Sequence, residues 1–262
     1  MMNIRTISFV LNLKGVVPVS RCLIPLLSGL LLCTPLAAGQ AGQDREERLF
    51  AATPGDTVVI QNDYGRIRVS PASGQQVKVV IRKIAVSADR LENVVVVAQK
   101  VSQKIFLTTF YYDYQAESVY LDIEAPPFIN VTIWGANPAV EISGVHGYVR
   151  VLTLTGLITA QDLTSSVSLT TETGSIIFRA HQQPERDIRL ESIHGEVRCE
   201  LAEGLNLRGW VRAGGYLDWN SEIEFSDGQL ERQIGVGGPL LLAASQKGAV
   251  YIRVNLIKTF TI

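Results

Sequence analysis

Between Ser143 and Ala180 the chain repeats itself every nine residues. Gly147, Gly156, Ser165 and Gly174 mark the interval. Two and four residues after each comes an apolar pair: Val149 and Val151, Ile158 and Ala160, Val167 and Leu169, Ile176 and Phe178. An apolar pair at spacing two buries one face of a β-strand. A small residue before it lets the backbone take a tight corner, often at positive φ. Nine residues reach about 30 Å when extended, which suits one strand and a bend and leaves no room for a helix. A short fixed period is the mark of stacked repeats. The pattern predicts a β-solenoid in which each coil uses two nine-residue units.

The rest of the chain fits around this stretch. Arg5, Lys14 and Arg21 precede an apolar run from Cys22 to Cys33, and small residues follow at Ala37, Ala38 and Gly39. This reads as a signal peptide over residues 1–39, with an uncleaved N-terminal anchor as the alternative. Its removal takes away three basic groups and leaves a net charge of −4, against −1 for the whole chain. That balance argues against a nucleic-acid partner, which needs a concentrated basic patch. Two of the three cysteines lie in the signal. Cys199 alone cannot form an intrachain disulfide, and its inward repeat position predicts a buried small hydrophobe.

Residues 40–48 read as a polar linker. From 49 to 127 we expect irregular antiparallel hairpins. They include Val58 and Ile60, then a turn at Asn62-Asp63-Tyr64-Gly65, then Ile67 and Val69. Val77, Val79 and Ile81 alternate, and Ser87 to Glu92 is a short polar connection. Pro126 and Pro127 close this portion, since proline cannot donate to a central ladder. The regular repeats are expected over 128–262. A loop interrupts them at His181-Gln182-Gln183-Pro184, and the pattern resumes after Gly195, Gly215 and Gly248. A final strand is expected over Leu256 to Ile262.

Three blocks carry a resemblance to a known family. "RLFAATPGDTVVIQNDYGRIRVSPASGQQVKVV" opens it, "LDIEAPPFINVTIWGANPAVEISGVHGYVRVLTLTG" continues it, and "LESIHGEVRCELAEGLNLRGWVRAGGYLDW" follows. In this order of a proline–glycine turn, "G-x-I-x-V", and "S/T-x-x-G-x-V" units, the chain resembles the bacterial DUF4097 adhesin-type family over about Leu49 to Val254. The resemblance implies an exported, envelope-associated, repetitive β-protein and brings no catalytic residues. The chain departs from the family pattern at Trp134, Tyr148, Leu157 and Trp210, which are bulkier than the expected small polar residues.

The sequence offers few candidates for chemistry. His146 and His194 each precede a corner glycine, so they are either a stacked metal-binding pair or two exposed corner residues; His181 lies in the inserted loop. No HExxH, CxxC, GxSxG or phosphate-loop pattern occurs. Asp218, Glu222, Glu224 and Asp227 form an acidic group. Glu222 and Glu224 would share one strand face, as a glycosidase pair or as an ordinary solvated face. Tyr111, Tyr112 and Tyr114 sit at an expected hairpin end. They either contact a sugar or protein partner or pack, in part, beneath the hairpin. Trp219 is expected in the core.

These readings predict an all-β fold: a β-helix-like solenoid with a hairpin-rich N-terminal portion. The expected role is non-enzymatic, without cofactor or metal. It is that of an adhesin or interaction scaffold, exported to the periplasm, the cell surface or the medium. The expected partner is an envelope or surface component, glycan or protein, with Tyr111, Tyr112 and Tyr114 as binding residues. Membrane contact would come only through an uncleaved signal. The rival readings are a carbohydrate-active enzyme on a β-helix and an envelope-stress accessory protein.

Overall fold

The computed structural model describes residues 41–113, 117–220, 222–225, 230–234 and 237–255; residues 222–225, 230–234 and 255 are described by backbone alone. The expected signal segment, Tyr114, Asp227 and the expected strand at 256–262 lie outside the described residues.

The described chain is almost all β. Its first part runs β1 (Gly42–Ala51), β2 (Thr57–Gln61), β3 (Tyr64–Pro71), β4 (Gln76–Ala85), a 3-10 helix (Ala88–Asn93), β5 (Val94–Val101), β6 (Lys104–Tyr111) and β7 (Ser118–Ala125). The repeats give β8 (Asn130–Gly135), β9 (Asn137–Ser143), β10 (Val149–Thr153), β11 (Leu157–Gln161), β12 (Val167–Thr171), β13 (Ser175–Ala180), β14 (Ile188–Ser192) and β15 (Val197–Ala202). Then come β16 (Arg208–Ala213), β17 (Tyr216–Trp219), β18 (Glu222–Phe225), β19 (Leu230–Ile234), β20 (Leu240–Ser245) and β21 (Val250–Asn255).

These strands form two mixed sheets. Sheet A has the order β1-β4-β7-β3-β9-β11-β13-β15-β21-β17-β18, and sheet B the order β19-β16-β20-β14-β12-β10-β8-β2-β6-β5. From β8 to β15 successive strands alternate between the sheets, and from β10 onward each pairs in parallel with the strand two before it. Val149 pairs with Val131 behind it and Val167 ahead of it, 18 residues away in each direction. One turn of the winding therefore takes two nine-residue units. The loop at 181–187 stretches the next interval, so that Val167 pairs with Ile188.

All eight apolar-pair residues of the repeat are buried. Their parallel register stacks them in columns. In sheet A, Ile142, Ala160, Phe178, Cys199 and Ile252 follow one another; in sheet B, Ile133, Val151, Leu169, Leu190 and Ala243 do. Phe178 is fully buried between two small neighbours, Ala160 and Cys199. That alternation of volume is how a close-packed interior accommodates a large ring.

The corners have a different cause from the one the sequence suggests. Of the four marker residues only Gly156 has left-handed φ, at 102°. A Cβ on Gly174 would strike the carbonyl oxygen of Gly156, and one on Gly195 that of Gly174. Glycine is required here because successive corners stack backbone on backbone. A hydroxyl column lies beside them. The Gly174 N–H donates to Thr171 Oγ1 at 3.0 Å. Ser192 Oγ accepts from Gly195 N–H at 2.8 Å and donates to the Gly174 carbonyl at 2.9 Å. Ser245 repeats this with Gly248 N–H at 2.9 Å and the Gly195 carbonyl at 2.7 Å. The "S/T-x-x-G" spacing thus satisfies buried polar backbone at the Gly174, Gly195 and Gly248 corners.

The N-terminal part differs from expectation: most of the stretch expected as a polar linker over 40–48 belongs to edge strand β1, paired antiparallel with β4. β2 and β3 do not form a hairpin. β2 lies in sheet B, parallel to β6 and β8, and β3 lies in sheet A, parallel to β7 and β9. Buried Asn62 makes the corner between them: its Nδ2 donates to the carbonyls of Tyr64 and Val119 at 3.1 and 3.0 Å. The alternating winding thus already includes β2 and β3, and β4 to β7 are an insertion within it. Among the described residues of this part, only β5 and β6 pair antiparallel as sequence neighbours. The C-terminal order also departs from sequence order. β20 lies between β14 and β16, and β21 between β15 and β17.

Candidate binding surfaces

The residues singled out for chemistry fall into separate places. Cys199 is wholly buried, and burial pushes its thiol up to about 12. His146 leads into β10 of sheet B and His194 into β15 of sheet A, so they do not stack. His181 caps a corner instead: its N–H donates to Asp162 Oδ1 at 2.9 Å, and its Nδ1 lies 3.0 Å from the same oxygen. Burial pushes the Asp162 carboxyl up, but those contacts and the Gln161 amide outweigh it and hold the group below the usual carboxylate range. Among the described residues no three His, Cys, Asp or Glu side chains gather as a metal site. Asp218 is buried and holds Arg253, whose Nη1 donates to Oδ1 at 2.7 Å. The side chains of Glu222 and Glu224 lie outside the described residues.

The tyrosines divide. Tyr111 is buried at the end of β6 that lies away from the hairpin turn. Its hydroxyl lies 2.8 Å from both Asn62 Oδ1 and the Tyr64 carbonyl, which share its single proton. Its ring meets that of Tyr64 edge-on, with centroids 5.5 Å apart. Tyr111 is therefore part of the corner that Asn62 organises, and its burial keeps it from touching a partner. Tyr112 is 74% exposed. Tyr114 lies outside the described residues. Trp219 is half-buried against the core.

The outer face of sheet B carries a feature that motif reading underweights. Trp134 on β8 pairs in register with Leu152 on β10, and both are exposed. Tyr148 and Leu154, at the two ends of β10, are exposed as well. Arg150 is exposed between them, on the same face as Leu152. Tyr148 lies over the previous strand: its N–H donates to Asn130 Oδ1 at 3.0 Å, and its hydroxyl accepts from Thr132 Oγ1 at 3.5 Å. Farther along, Trp210 on β16 is 48% exposed and pairs with Leu242. Arg189, Glu191, Arg212, Leu242 and Trp210 line a depression of about 470 Å³ there. Five strand spacings separate β8 from β16, or about 24 Å. Polar Ser168, Thr170, Arg189 and Glu191 occupy the strands between. The signal was present in the sequence: Trp134, Tyr148 and Trp210 are bulky where small polar residues are expected.

No protein-family model matches the chain, and no curated protein matches it. Solved structures show an outline likeness. A candidate cell adhesion protein from Clostridium sporogenes is 12% identical over 81% of this chain and 100% of its own, with a TM-score of 0.48. A candidate adhesin from Parabacteroides merdae is 6% identical over 81% of this chain and 97% of its own, with a TM-score of 0.25. One from Bacteroides fragilis is 11% identical over the same shares, with a TM-score of 0.28. Likeness at this level assigns neither a binding activity nor a partner to this chain.

Proposed function

We propose that the chain is an exported, non-enzymatic scaffold of the adhesin type, a two-sheet β-solenoid that holds an extended envelope or surface component across the outer face of sheet B. The observation that carries this reading is the pair of aromatic patches, Trp134 with Leu152 and Trp210 with Leu242, on one rigid face. Exposed aromatics on a preorganised surface bind at low entropic penalty. Patches about 24 Å apart suit a glycan or peptide strand that crosses several strands of the sheet. The sequence resemblance to the DUF4097 family supports the same reading. Its "S/T-x-x-G-x-V" unit has a structural reason in the corner ladder, which gives the face its rigidity.

A glycan array and envelope fractions, probed with the whole chain, test the proposal. Trp134→Ala and Trp210→Ala should each weaken capture about 30-fold, since aromatic anchors buried on binding contribute about 2 kcal/mol or more. Both variants should keep the wild-type melting temperature. Unchanged capture in both would remove sheet B from the account. Tyr112→Ala, with Tyr114→Ala, tests these two tyrosines separately; loss of capture there would move the site to the segment that follows β6.

A further inference from the structure

The outer face of sheet A holds a row of cations around one aromatic ring. Arg45 on β1 pairs with Arg82 on β4, Arg82 with Tyr120 on β7, and Tyr120 with Arg66 on β3. Both inner guanidiniums sit over the Tyr120 ring, at 5.4 Å for Arg66 and 5.9 Å for Arg82. Asp122 serves them both: Arg66 Nη2 lies 3.3 Å from Oδ1, and Arg82 Nη2 contacts Oδ2. The Nε–H of each arginine is buried without an acceptor. Arg45 is exposed and makes no ion pair among the described residues. Two guanidiniums thus share one carboxylate, and the third has no ion-pair partner among the described residues. The flanking cations are already paired, Lys78 with Glu47 at 3.6 Å, Arg68 with Glu141 at 2.8 Å, and Lys83 with Asp44 at 3.2 Å. Depressions of about 380 and 360 Å³ adjoin the row on its two sides and share Arg45 and Arg82. Ser70 lines the first and Gln43 the second.

We propose that the Arg45–Arg82–Tyr120–Arg66 row binds an oxyanion carried on a sugar, a carboxylate, sulfate or phosphate of an acidic polysaccharide. The row has excess positive charge, its exposed Arg45 makes no ion pair among the described residues, and the ring contacts hold its other two guanidiniums in place. Arginine forks favour oxyanions of this kind, and pinned donors bind with less ordering. Ser70, Gln43 and the Tyr120 ring supply the polar and flat apolar contacts that a sugar bearing the anion would use. A nucleic-acid backbone fits less well, because Glu47, Asp122, Glu124 and Glu141 interleave with the cations and repel closely spaced phosphates. The site is on the opposite sheet from the aromatic patches and stands independently of them.

The test uses the whole chain on surfaces of dextran sulfate, polygalacturonate, phosphorylated dextran and neutral dextran. Binding to at least one of the charged polymers, weakened by added salt, is expected, with none to neutral dextran. The polymer that binds identifies the oxyanion. Arg45→Gln, which breaks no ion pair among the described residues, should weaken binding about tenfold, the contribution of one charge-assisted contact, without a change in melting temperature. Arg82→Lys should weaken it less than Arg82→Gln. Trp134→Ala with Trp210→Ala should leave polyanion binding intact, so failure of the sheet B reading is separable from failure of this one. Equal binding to neutral dextran, no binding to any charged polymer, or wild-type binding by Arg45→Gln would overturn the proposal. So would tighter binding to single-stranded DNA than to the polymers.

Discussion

At the scale of single residues, the corner glycines and hydroxyls carry the fold's most sensitive positions. Gly174→Ala places a methyl against the Gly156 carbonyl, where only backbone could give way. A loss of about 3 kcal/mol is expected, in the range of severe backbone and overpacking substitutions. Ser192→Ala deprives the Gly174 carbonyl and the Gly195 N–H of their side-chain partner and should cost about 2 kcal/mol. Urea denaturation of each variant checks both values. Cys199, buried beside Phe178 with its thiol pushed up to about 12 by that burial, should resist alkylation in the native protein and react on unfolding, as read by peptide mapping. The sequence made Cys199 legible through its inward parity. It did not reveal why the residue is small, because that depends on Phe178 in the neighbouring strand, 21 residues away. Tyr111 shows the opposite limit. Alternation among Tyr111, Tyr112 and Tyr114 allowed that some of them pack beneath the hairpin, but the role of Tyr111 with Asn62 is a contact 49 residues apart.

At the scale of elements, the regular repeats were legible because the period-two pairs and the corner spacing agree along every strand from β10 to β13. The N-terminal strands were not, because local pattern cannot distinguish a hairpin turn from a corner between sheets. Asn62-Asp63-Tyr64-Gly65 suits either. The deciding contacts, Asn62 to Val119 and β2 to β8, span an insertion of four strands. The turn before β2 is set by Asp56, whose Oδ2 accepts from Thr53 N–H at 2.9 Å and Lys100 Nζ at 2.6 Å. Burial pushes this carboxyl up, but Lys100 and Thr53 outweigh it and hold it below its ordinary value. A carboxyl depressed in the folded state stabilises above its unfolded pKa and loses that contribution as pH falls through the folded one. Stability should therefore be level above about pH 4 and decline below it. Asp56→Asn should be about 2 kcal/mol less stable at neutral pH and show a shallower acid decline, as followed by thermal unfolding across pH. An Asp56→Asn protein with the wild-type pH profile would contradict this assignment.

At the scale of the whole molecule, the two outer faces and the sheet edges divide the work. β1 is an edge strand with Asp44, Arg45, Glu46, Glu47 and Arg48 along it, a charge pattern that discourages pairing with other chains. β5, an edge of sheet B, instead exposes Val95, Val97 and Val101. Val97→Lys should raise the concentration at which the protein begins to aggregate, measured by light scattering, with little change in melting temperature. The order of the C-terminal strands was beyond the sequence, since nothing local indicates that β20 and β21 enter between earlier strands. The sheet B reading depends on which side chains share its outer face, and thus on the parallel register that β10 keeps with β12. Cysteine cross-linking measures that register directly. Arg150→Cys with Ser168→Cys places the two thiols on register partners of the outer face, within the span a disulfide can bridge. Peptide mapping after mild oxidation should find this bond and should find none when Arg150→Cys is combined with Thr170→Cys. A bond in the second pair and none in the first would contradict the alternating strand order and the sheet B surface built on it.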